Sequence, residues 1–165
     1  MDIVLAMNFS YWIFKRRDEL RLYFERVRGS LARDGVLFMD IYGGWESYKD
    51  AHREHREIKG RAGGGAPAKF TYVWDQEKYD PITGEYLCHI HFRFPDGSKL
   101  TRAFTYDWRL WSLPEVRELL AEAGFSRSTV YWEGDDGEGG GNDIFEPADH
   151  GEQCPAFVAY LVAER

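Results

Sequence analysis

Short apolar runs and one amphipathic segment organise the start of the chain. Ile3–Met7 and Val36–Ile41 are largely apolar and are closed by turn residues, a pattern typical of buried parallel strands. Between them, Trp12–Ala32 has apolar residues at spacings of four, three and four, which predicts a helix with one buried face. Strand, helix and strand in this order predict a right-handed parallel crossover.

The middle of the chain has a different pattern. Trp45–Lys59 is highly charged and is predicted to be helical, and the segment "GRAGGGAPA" that follows is a candidate boundary. Beyond it, "KFTYVWDQEKYD", "GEYLCHIHFRF" and "SKLTRAFTYDWRLW" alternate large apolar with polar residues, and turn residues separate them. Residues 69–111 are therefore predicted to form a three-stranded antiparallel meander.

The clearest helix signal lies in "SLPEVRELLAEAGF". Ser112 and Glu115 form a capping box at its start, and Gly124 closes its end. Two strands follow, near Ser128–Trp132 and Ala156–Ala163, and an acidic, glycine-rich loop joins them. The chain therefore ends in a helix and a pair of strands.

Composition and charge narrow the classes of function. The chain has 165 residues and a formal net charge of −7, but eight acidic residues and no Lys or Arg lie between Glu133 and Glu152. The rest is nearly neutral and has no basic stripe, so no nucleic-acid partner is predicted. No apolar stretch has the length of a membrane span, so no membrane partner is predicted either. Two cysteines make no disulfide framework, which favours a reducing cytoplasm.

Two segments carry a resemblance to a known family. "SLARDGVLFMDI" is similar to the pattern L-x-x-x-G-V-L-F-x-D at the fifth strand of class I S-adenosylmethionine-dependent methyltransferases, and "EVRELLAEAGF" is similar to the helix before their last antiparallel pair. The order of elements resembles the C-terminal half of that family, from its fourth strand onward. The resemblance implies a single α/β domain: a partial Rossmann-like sheet from residues 1–60 and 112–165, with the meander of residues 69–111 inserted over the substrate.

The resemblance also implies S-adenosylmethionine as the cofactor and a small-molecule acceptor of its methyl group. The family's glycine-rich cofactor loop has no counterpart in the sequence, since neither Gly63–Gly65 nor Gly139–Gly141 lies in a tight turn between a strand and a helix. Without the first three strands of the family, Ile3–Met7 would be an open apolar edge. We therefore expect a homo-oligomer or a partner chain to cover it, with a truncated sequence as the alternative.

Candidate cofactor and acceptor residues follow the two parallel strands, because open α/β sheets bind ligands at the carboxyl ends of their strands. Asn8, Phe9 and Ser10 are predicted to border the cofactor, and Tyr11 and Tyr42 are predicted to border the acceptor. In the family that the chain resembles, the segment like "NFSYW" borders both. For Asn8 and Ser10, turn and helix-cap chemistry is the alternative.

Further acceptor contacts are predicted in the meander, at its junction with the next helix and beside the acidic loop: Tyr72, Trp108, Arg109, Trp111, Trp132 and Asn142. The aromatic side chains would form a pocket wall, and Arg109 would hold an anion. Aromatic packing is the alternative for the tryptophans of the meander. A solvated glycine-rich loop is the alternative for the acidic segment.

His89 is the candidate catalytic base. His89 and His91 lie on one side of a strand, the geometry of a base or of a metal pair, but no third metal ligand is evident and no metal site is predicted. A hydrogen-bonded structural histidine is the alternative. Two other functions stay open: a non-catalytic binding or regulatory module that lacks the cofactor loop, and a metal-assisted hydrolase built around the two histidines.

Overall fold

The computed structural model describes residues 1–61, 67–137 and 140–165. They divide into two compact units. The first, which we call the sheet unit, comprises Met1–Ser47 and Trp111–Arg165, and the second, the meander unit, comprises Tyr48–Leu110. In the described residues, no helix has the length and apolar character needed to cross a membrane.

Most elements of both units are β-strands. In chain order, the strands and α-helices are β1 (Ile3–Ala6), α1 (Arg17–Ser30), β2 (Val36–Gly43), β3 (His52–Arg61), β4 (Pro67–Tyr79), β5 (Glu85–Arg93), β6 (Lys99–Arg109), α2 (Leu113–Glu122), β7 (Arg127–Asp135), β8 (Gly141–Pro147) and β9 (Phe157–Glu164). Short 3-10 helices add Ser10–Ile13 and Trp45–Tyr48.

The sheet unit contains a five-stranded sheet in the order β1-β2-β9-β7-β8. β1 and β2 are parallel, as predicted, with α1 between them in the chain, and the other pairs are antiparallel. One face of this sheet is a closed core, to which β2 and β9 contribute fully buried side chains: Leu37, Met39, Ile41, Ala159, Leu161 and Ala163. The apolar stripes of α1 and α2 are also buried.

The capping box at the start of α2 is confirmed. The Ser112 hydroxyl accepts a hydrogen bond from the Glu115 N–H, and the Glu115 carboxylate accepts one from the Ser112 N–H at 2.9 Å. Gly124 follows the helix with a φ of +91°, a left-handed conformation that glycine adopts without steric cost. The sequence signals at both ends of this helix therefore had the predicted effect.

β1 is an edge strand with an exposed apolar face. Its strand neighbour among the described residues is β2, and its other edge is unpaired there. Ile3 and Leu5 point away from the closed core and are 61% and 65% exposed. The open apolar edge expected from the sequence is therefore present in the structure.

The predicted helix over Trp45–Lys59 is wrong. Most of this segment is β3, an edge strand that pairs antiparallel with β4 from His52↔Gln76 to Arg61↔Pro67. Its charged residues alternate between the two faces of a largely exposed ribbon, where pairing with β4 outweighs local helix propensity. The meander therefore has four strands, in the order β3-β4-β5-β6, rather than three.

Two other boundaries differ from the prediction. α1 begins at Arg17 rather than at Trp12, because Ser10–Ile13 form a short 3-10 helix and the chain is extended at Phe14 and Arg16. Part of the acidic segment predicted as a loop is β8, which pairs with β7. Polar edge strands such as β8 carry no apolar alternation that a sequence pattern could reveal.

Candidate functional site

A strained turn follows β1 at the carboxyl end of the parallel strands. Asn8 and Phe9 both have left-handed backbone conformations, with φ of 56° and 54°. Their N–H groups donate to the two carboxylate oxygens of Asp40 in β2, each over 2.9 Å. Asp40 is 7% exposed, and these two part-buried hydrogen bonds compensate its charge. The carboxylate therefore fixes the turn.

Tyr11 also contacts the strand that holds this turn. Its hydroxyl donates to the main-chain oxygen of Asp40 over 2.9 Å, and its side chain is 1% exposed. Burial raises the pKa of the Tyr11 hydroxyl far above its ordinary range; a hydrogen bond with Trp12 opposes the shift, and the nearby Asp40 charge adds to it. Tyr11 is therefore a neutral hydrogen-bond donor to the backbone of β2.

An aromatic group lies beside the turn. The Phe9 ring stacks on Trp12 with centroids 5.2 Å apart, and Tyr42, near the end of β2, lies 6.1 Å from Phe9. Phe9 and Tyr42 are half-buried, whereas Asn8 and Ser10 are exposed. The carboxyl ends of β1 and β2 thus offer aromatic surface with polar groups next to it.

A cavity of about 600 Å³ opens where β9 begins. Trp132 and Phe157 form an aromatic wall, with ring centroids 4.6 Å apart. β9 pairs with β2 through Val158↔Tyr42, so this cavity and the turn belong to the same edge of the sheet. The acidic and other polar residues of the lining are Glu133, Asp135, His150, Glu152 and Cys154.

The end of β2 packs closely against the segment that leads into β9. A Cβ atom at Gly43, the last residue of β2, would lie 2.5 Å from the Phe157 ring. Gly44 has a φ of +106°, and a Cβ there would lie 2.4 Å from the main-chain oxygen of Pro155. The glycine pair therefore lets the chain leave β2 directly against the segment that leads into β9.

No family model matches this sequence, and no curated protein matches it. Solved structures do. An S-adenosylmethionine-dependent methyltransferase from Clostridium acetobutylicum is 13% identical with a TM-score of 0.60, and 99% of this chain covers 58% of it. The chain has the fold of part of this methyltransferase.

Two further solved structures show the same relationship. The amino pentose methyltransferase CalS10 from Micromonospora echinaspora is 15% identical with a TM-score of 0.62, and the whole of this chain covers 58% of it. The sugar N-methyltransferase KedS8 from a Streptoalloteichus species is 16% identical with a TM-score of 0.57, and the whole of this chain covers 56% of it. The chain thus spans less than two thirds of the length of these methyltransferases.

Within the methyltransferase fold, the predicted site residues of the sheet unit fall into two groups. Asn8, Phe9, Ser10 and Tyr42 meet at the carboxyl ends of β1 and β2, and Trp132 lines the cavity. Tyr11 and Trp111 are buried, and the Trp111 Nε1–H donates to the main-chain oxygen of Phe14 over 3.0 Å. Their geometry is that of packing residues, which leaves no side-chain surface for a ligand.

Asn142 lies on β8 and is exposed. Its side-chain oxygen accepts a hydrogen bond from the Ile144 N–H over 2.9 Å, so its amide is tied to its own strand. It is not among the residues that line the cavity. An acceptor contact for Asn142 remains a prediction.

The meander unit separates its aromatic and polar residues onto two faces. Tyr72 and Trp74 share one face with Tyr106 and Trp108, whose rings stack at 4.2 Å. Trp108 is buried in this aromatic layer, and Arg109 is half-buried at the end of β6. Burial raises the pKa of the half-buried Tyr72. Packing accounts for Trp108, and the acceptor contacts of Tyr72 and Arg109 remain predictions.

His89 lies on the opposite, polar face of the meander. It is 2% exposed, with Nδ1 2.9 Å from the Thr105 hydroxyl and Nε2 3.0 Å from a Glu77 carboxylate oxygen. Both ring nitrogens are therefore occupied, the geometry of a structural histidine. Its role as a base remains a prediction that would require one of these bonds to open.

Asp40 is the residue that sequence reasoning missed. It lies in the segment "GVLFMDI", whose apolar pattern predicts a strand but assigns no role to its carboxylate. The available signal was a single carboxylate inside an otherwise apolar strand, because a buried charge requires specific partners. Those partners lie more than thirty positions away in the chain, at Asn8 and Phe9, and a sequence pattern does not reveal them.

Proposed function

We propose that this chain forms part of an S-adenosylmethionine-dependent methyltransferase that acts on a small molecule. The observation that carries the proposal is the Asn8–Phe9 turn, which Asp40 holds at the carboxyl ends of β1 and β2 within a methyltransferase fold. Open α/β sheets bind their ligands at this edge. A turn fixed before any ligand arrives reduces the entropy lost on binding.

The residues at this edge suit one end of the cofactor. S-adenosylmethionine would supply a methyl group on a positively charged sulfur, and aromatic faces such as those of Phe9 and Tyr42 attract cations. Asn8 and Ser10 are exposed and offer polar groups beside them. Among the described residues, no glycine-rich turn joins a strand to a following α-helix, so the rest of the cofactor would need other partners.

We assign the acceptor to the cavity lined by Trp132 and Phe157. Methyl transfer is an in-line displacement, for which the protein mainly supplies orientation and exclusion of water. The carboxylates of Glu133, Asp135 and Glu152 beside an aromatic wall favour binding of an amine in its protonated form. That amine would have to give up a proton, for which these carboxylates are the nearby acceptors, before its nitrogen could accept the methyl group. The names of two structural neighbours, an amino pentose methyltransferase and a sugar N-methyltransferase, agree with an amine acceptor.

We further propose that another polypeptide segment covers β1. The exposed Ile3 and Leu5 and the unpaired edge of β1 are an apolar surface next to the proposed cofactor site. The structural neighbours extend well beyond the matched region. A homo-oligomer or a partner chain that adds a strand at this edge would bury these side chains and complete the cofactor site.

The first experiment measures thermal unfolding of the chain with increasing S-adenosylhomocysteine, the product form of the cofactor. A ligand at 100 times its dissociation constant adds about 2.7 kcal/mol to the free energy of unfolding, a shift of several degrees for a chain of this size. The control is Tyr42→Ala, which removes an aromatic face at the site and should weaken the shift.

A saturable shift that Tyr42→Ala weakens would support the proposal. Absence of a shift at millimolar ligand would contradict cofactor binding by this chain. It would favour the second candidate, a non-catalytic binding module. Sedimentation velocity in the same buffers would show whether the chain self-associates.

A further inference from the structure

The polar face of the meander unit contains a small basic pocket. It has a volume of about 210 Å³, and residues of β3, β4, β5 and β6 line it. It lies on the face of the sheet opposite to Tyr72 and Trp74. Val73 forms part of its floor, and its polar lining is Arg53, His91, Arg93, Lys99 and Thr101. The pocket is separate from the cavity that we assign to the acceptor, which belongs to the sheet unit.

An irregularity between β5 and β6 forms one wall of the pocket. The register passes from Ile90↔Phe104 to Phe92↔Leu100, so residues 101–103 lie opposite His91. Arg102 has a left-handed φ of 51°, and its N–H donates to His91 Nδ1 over 3.0 Å. Bulges of this kind redirect side chains and often lie beside binding sites.

Two residues of the pocket lining, His91 and Arg53, together hold the carboxylate of Asp75. Because His91 Nδ1 accepts from the backbone, its proton is on Nε2, which donates to Asp75 over 3.1 Å. Arg53 donates to the same oxygen over 2.7 Å. Burial alone would raise the pKa of Asp75, but these two partners outweigh it and lower the pKa. Asp75 is thus fully engaged and leaves the other cations of the pocket uncompensated.

Arg93 and Lys99 are the uncompensated cations. They are direct cross-strand neighbours, an arrangement of like charges that destabilises a sheet. Neither forms an ion pair with the residues that the structure describes, and the nearby acids are taken: Glu57 pairs with Lys69 and Glu77 with Arg102. Two fixed positive charges beside a pocket, with Arg53 and the Thr101 hydroxyl next to them, form a binding surface for an oxyanion.

We propose that this pocket binds the phosphate group of a small phosphorylated molecule. Guanidinium groups and ammonium groups are the side chains that recognise phosphate, the former through paired hydrogen bonds and the latter as a point charge. The volume is below that of a pocket for a whole drug-sized ligand, so it suits one phosphate group with the first atoms of its ester. Arg93 and Lys99 provide most of the attraction, and Arg53 and Thr101 orient the group.

The test titrates the intact chain with inorganic phosphate and, separately, with methyl phosphate, at constant ionic strength against chloride. Binding is followed by the backbone amide resonances of Arg93 and Thr101. The double variant Arg93→Gln/Lys99→Gln should weaken binding of both probes by roughly tenfold or more, since each lost charge contact is a factor of that order. The matched control, Arg56→Gln/Lys78→Gln, makes the same change in net charge on the same sheet outside the pocket and leaves the Glu57–Lys69 ion pair intact.

The two variants distinguish a built site from a general charge effect. Saturable binding that the first variant weakens and the control retains would support the proposal. It would be overturned if phosphate bound no better than chloride, or if both variants weakened binding equally. Preference for methyl phosphate over inorganic phosphate would identify an ester as the ligand, and equal binding of the two would identify the free ion.

Discussion

The two hydrogen bonds that the Asp40 carboxylate accepts allow a quantitative prediction for the variant Asp40→Asn. Asparagine keeps one side-chain oxygen for the Asn8 or Phe9 N–H, but it places an amide NH₂ against the other donor. Each hydrogen bond to a charged group contributes about 1.5–3 kcal/mol, and the loss leaves a part-buried N–H without its partner. We expect Asp40→Asn to reduce the free energy of unfolding by about 2–3 kcal/mol, and Asp40→Ala by about 3–4 kcal/mol.

Urea unfolding provides the measurement, with the shift in midpoint converted through a common slope. The control is Asp34→Asn, an exposed carboxylate in the turn before β2, which should change stability by less than about 0.5 kcal/mol. Amide hydrogen exchange should rise at Asn8 and Phe9, because their donors lose the carboxylate. If Asp40→Asn costs no more than Asp34→Asn, the carboxylate does not hold the turn and the reasoning for the candidate site fails.

Three further predictions follow from contacts elsewhere in the chain. Gly43→Ala should lower the free energy of unfolding in urea by about 1–3 kcal/mol, because its Cβ would overlap the Phe157 ring. A Cβ at Gly29 would meet nothing within 4 Å, so Gly29→Ala should raise the free energy of unfolding by about 0.5–1 kcal/mol. The lowered pKa of Asp75 contributes stability that is present above its ordinary pKa of about 3.9 and is lost as the pH falls through the folded value; Asp75→Asn should remove that part of the acid dependence. Burial raises the pKa of the Cys88 thiol to about 12, so iodoacetamide at pH 8 should not alkylate it until the chain unfolds.

The elements that the sequence predicted correctly are those with local signals. α2 has its cap, its apolar stripe and its terminal glycine within a dozen residues, and β1 and β2 are apolar runs closed by turn residues. β3 and β8 lack such signals because they are polar edge strands, and only their pairing with β4 and β7 determines their structure. A helix and an edge strand of similar charge content cannot be distinguished from periodicity alone.

In the candidate site too, the residues with local signals were predicted and those that depend on distant contacts were not. The position of Asn8, Phe9, Ser10 and Tyr42 followed from the rule that ligands bind at the carboxyl ends of parallel strands. The function of Asp40 did not, since its two hydrogen bonds join segments that are distant in the chain. The burial of Trp111 likewise depends on a bond to the main chain of Phe14, which no local pattern encodes.

The cations of the pocket lie apart from the buried core, and this gives a last prediction that distinguishes ligand binding from folding. The pocket around Arg93 and Lys99 is exposed, whereas the fold depends on the buried faces of α1, α2, β2 and β9. Raising NaCl from about 0.1 M to about 1 M shortens the screening length from about 10 Å to about 3 Å. We therefore expect phosphate binding to weaken several-fold, whereas the melting temperature should stay unchanged. Sulfate in place of chloride should compete for the pocket, since it has the same geometry as phosphate. A melting temperature that fell together with phosphate affinity would show that the cations of the meander support the fold and not a ligand.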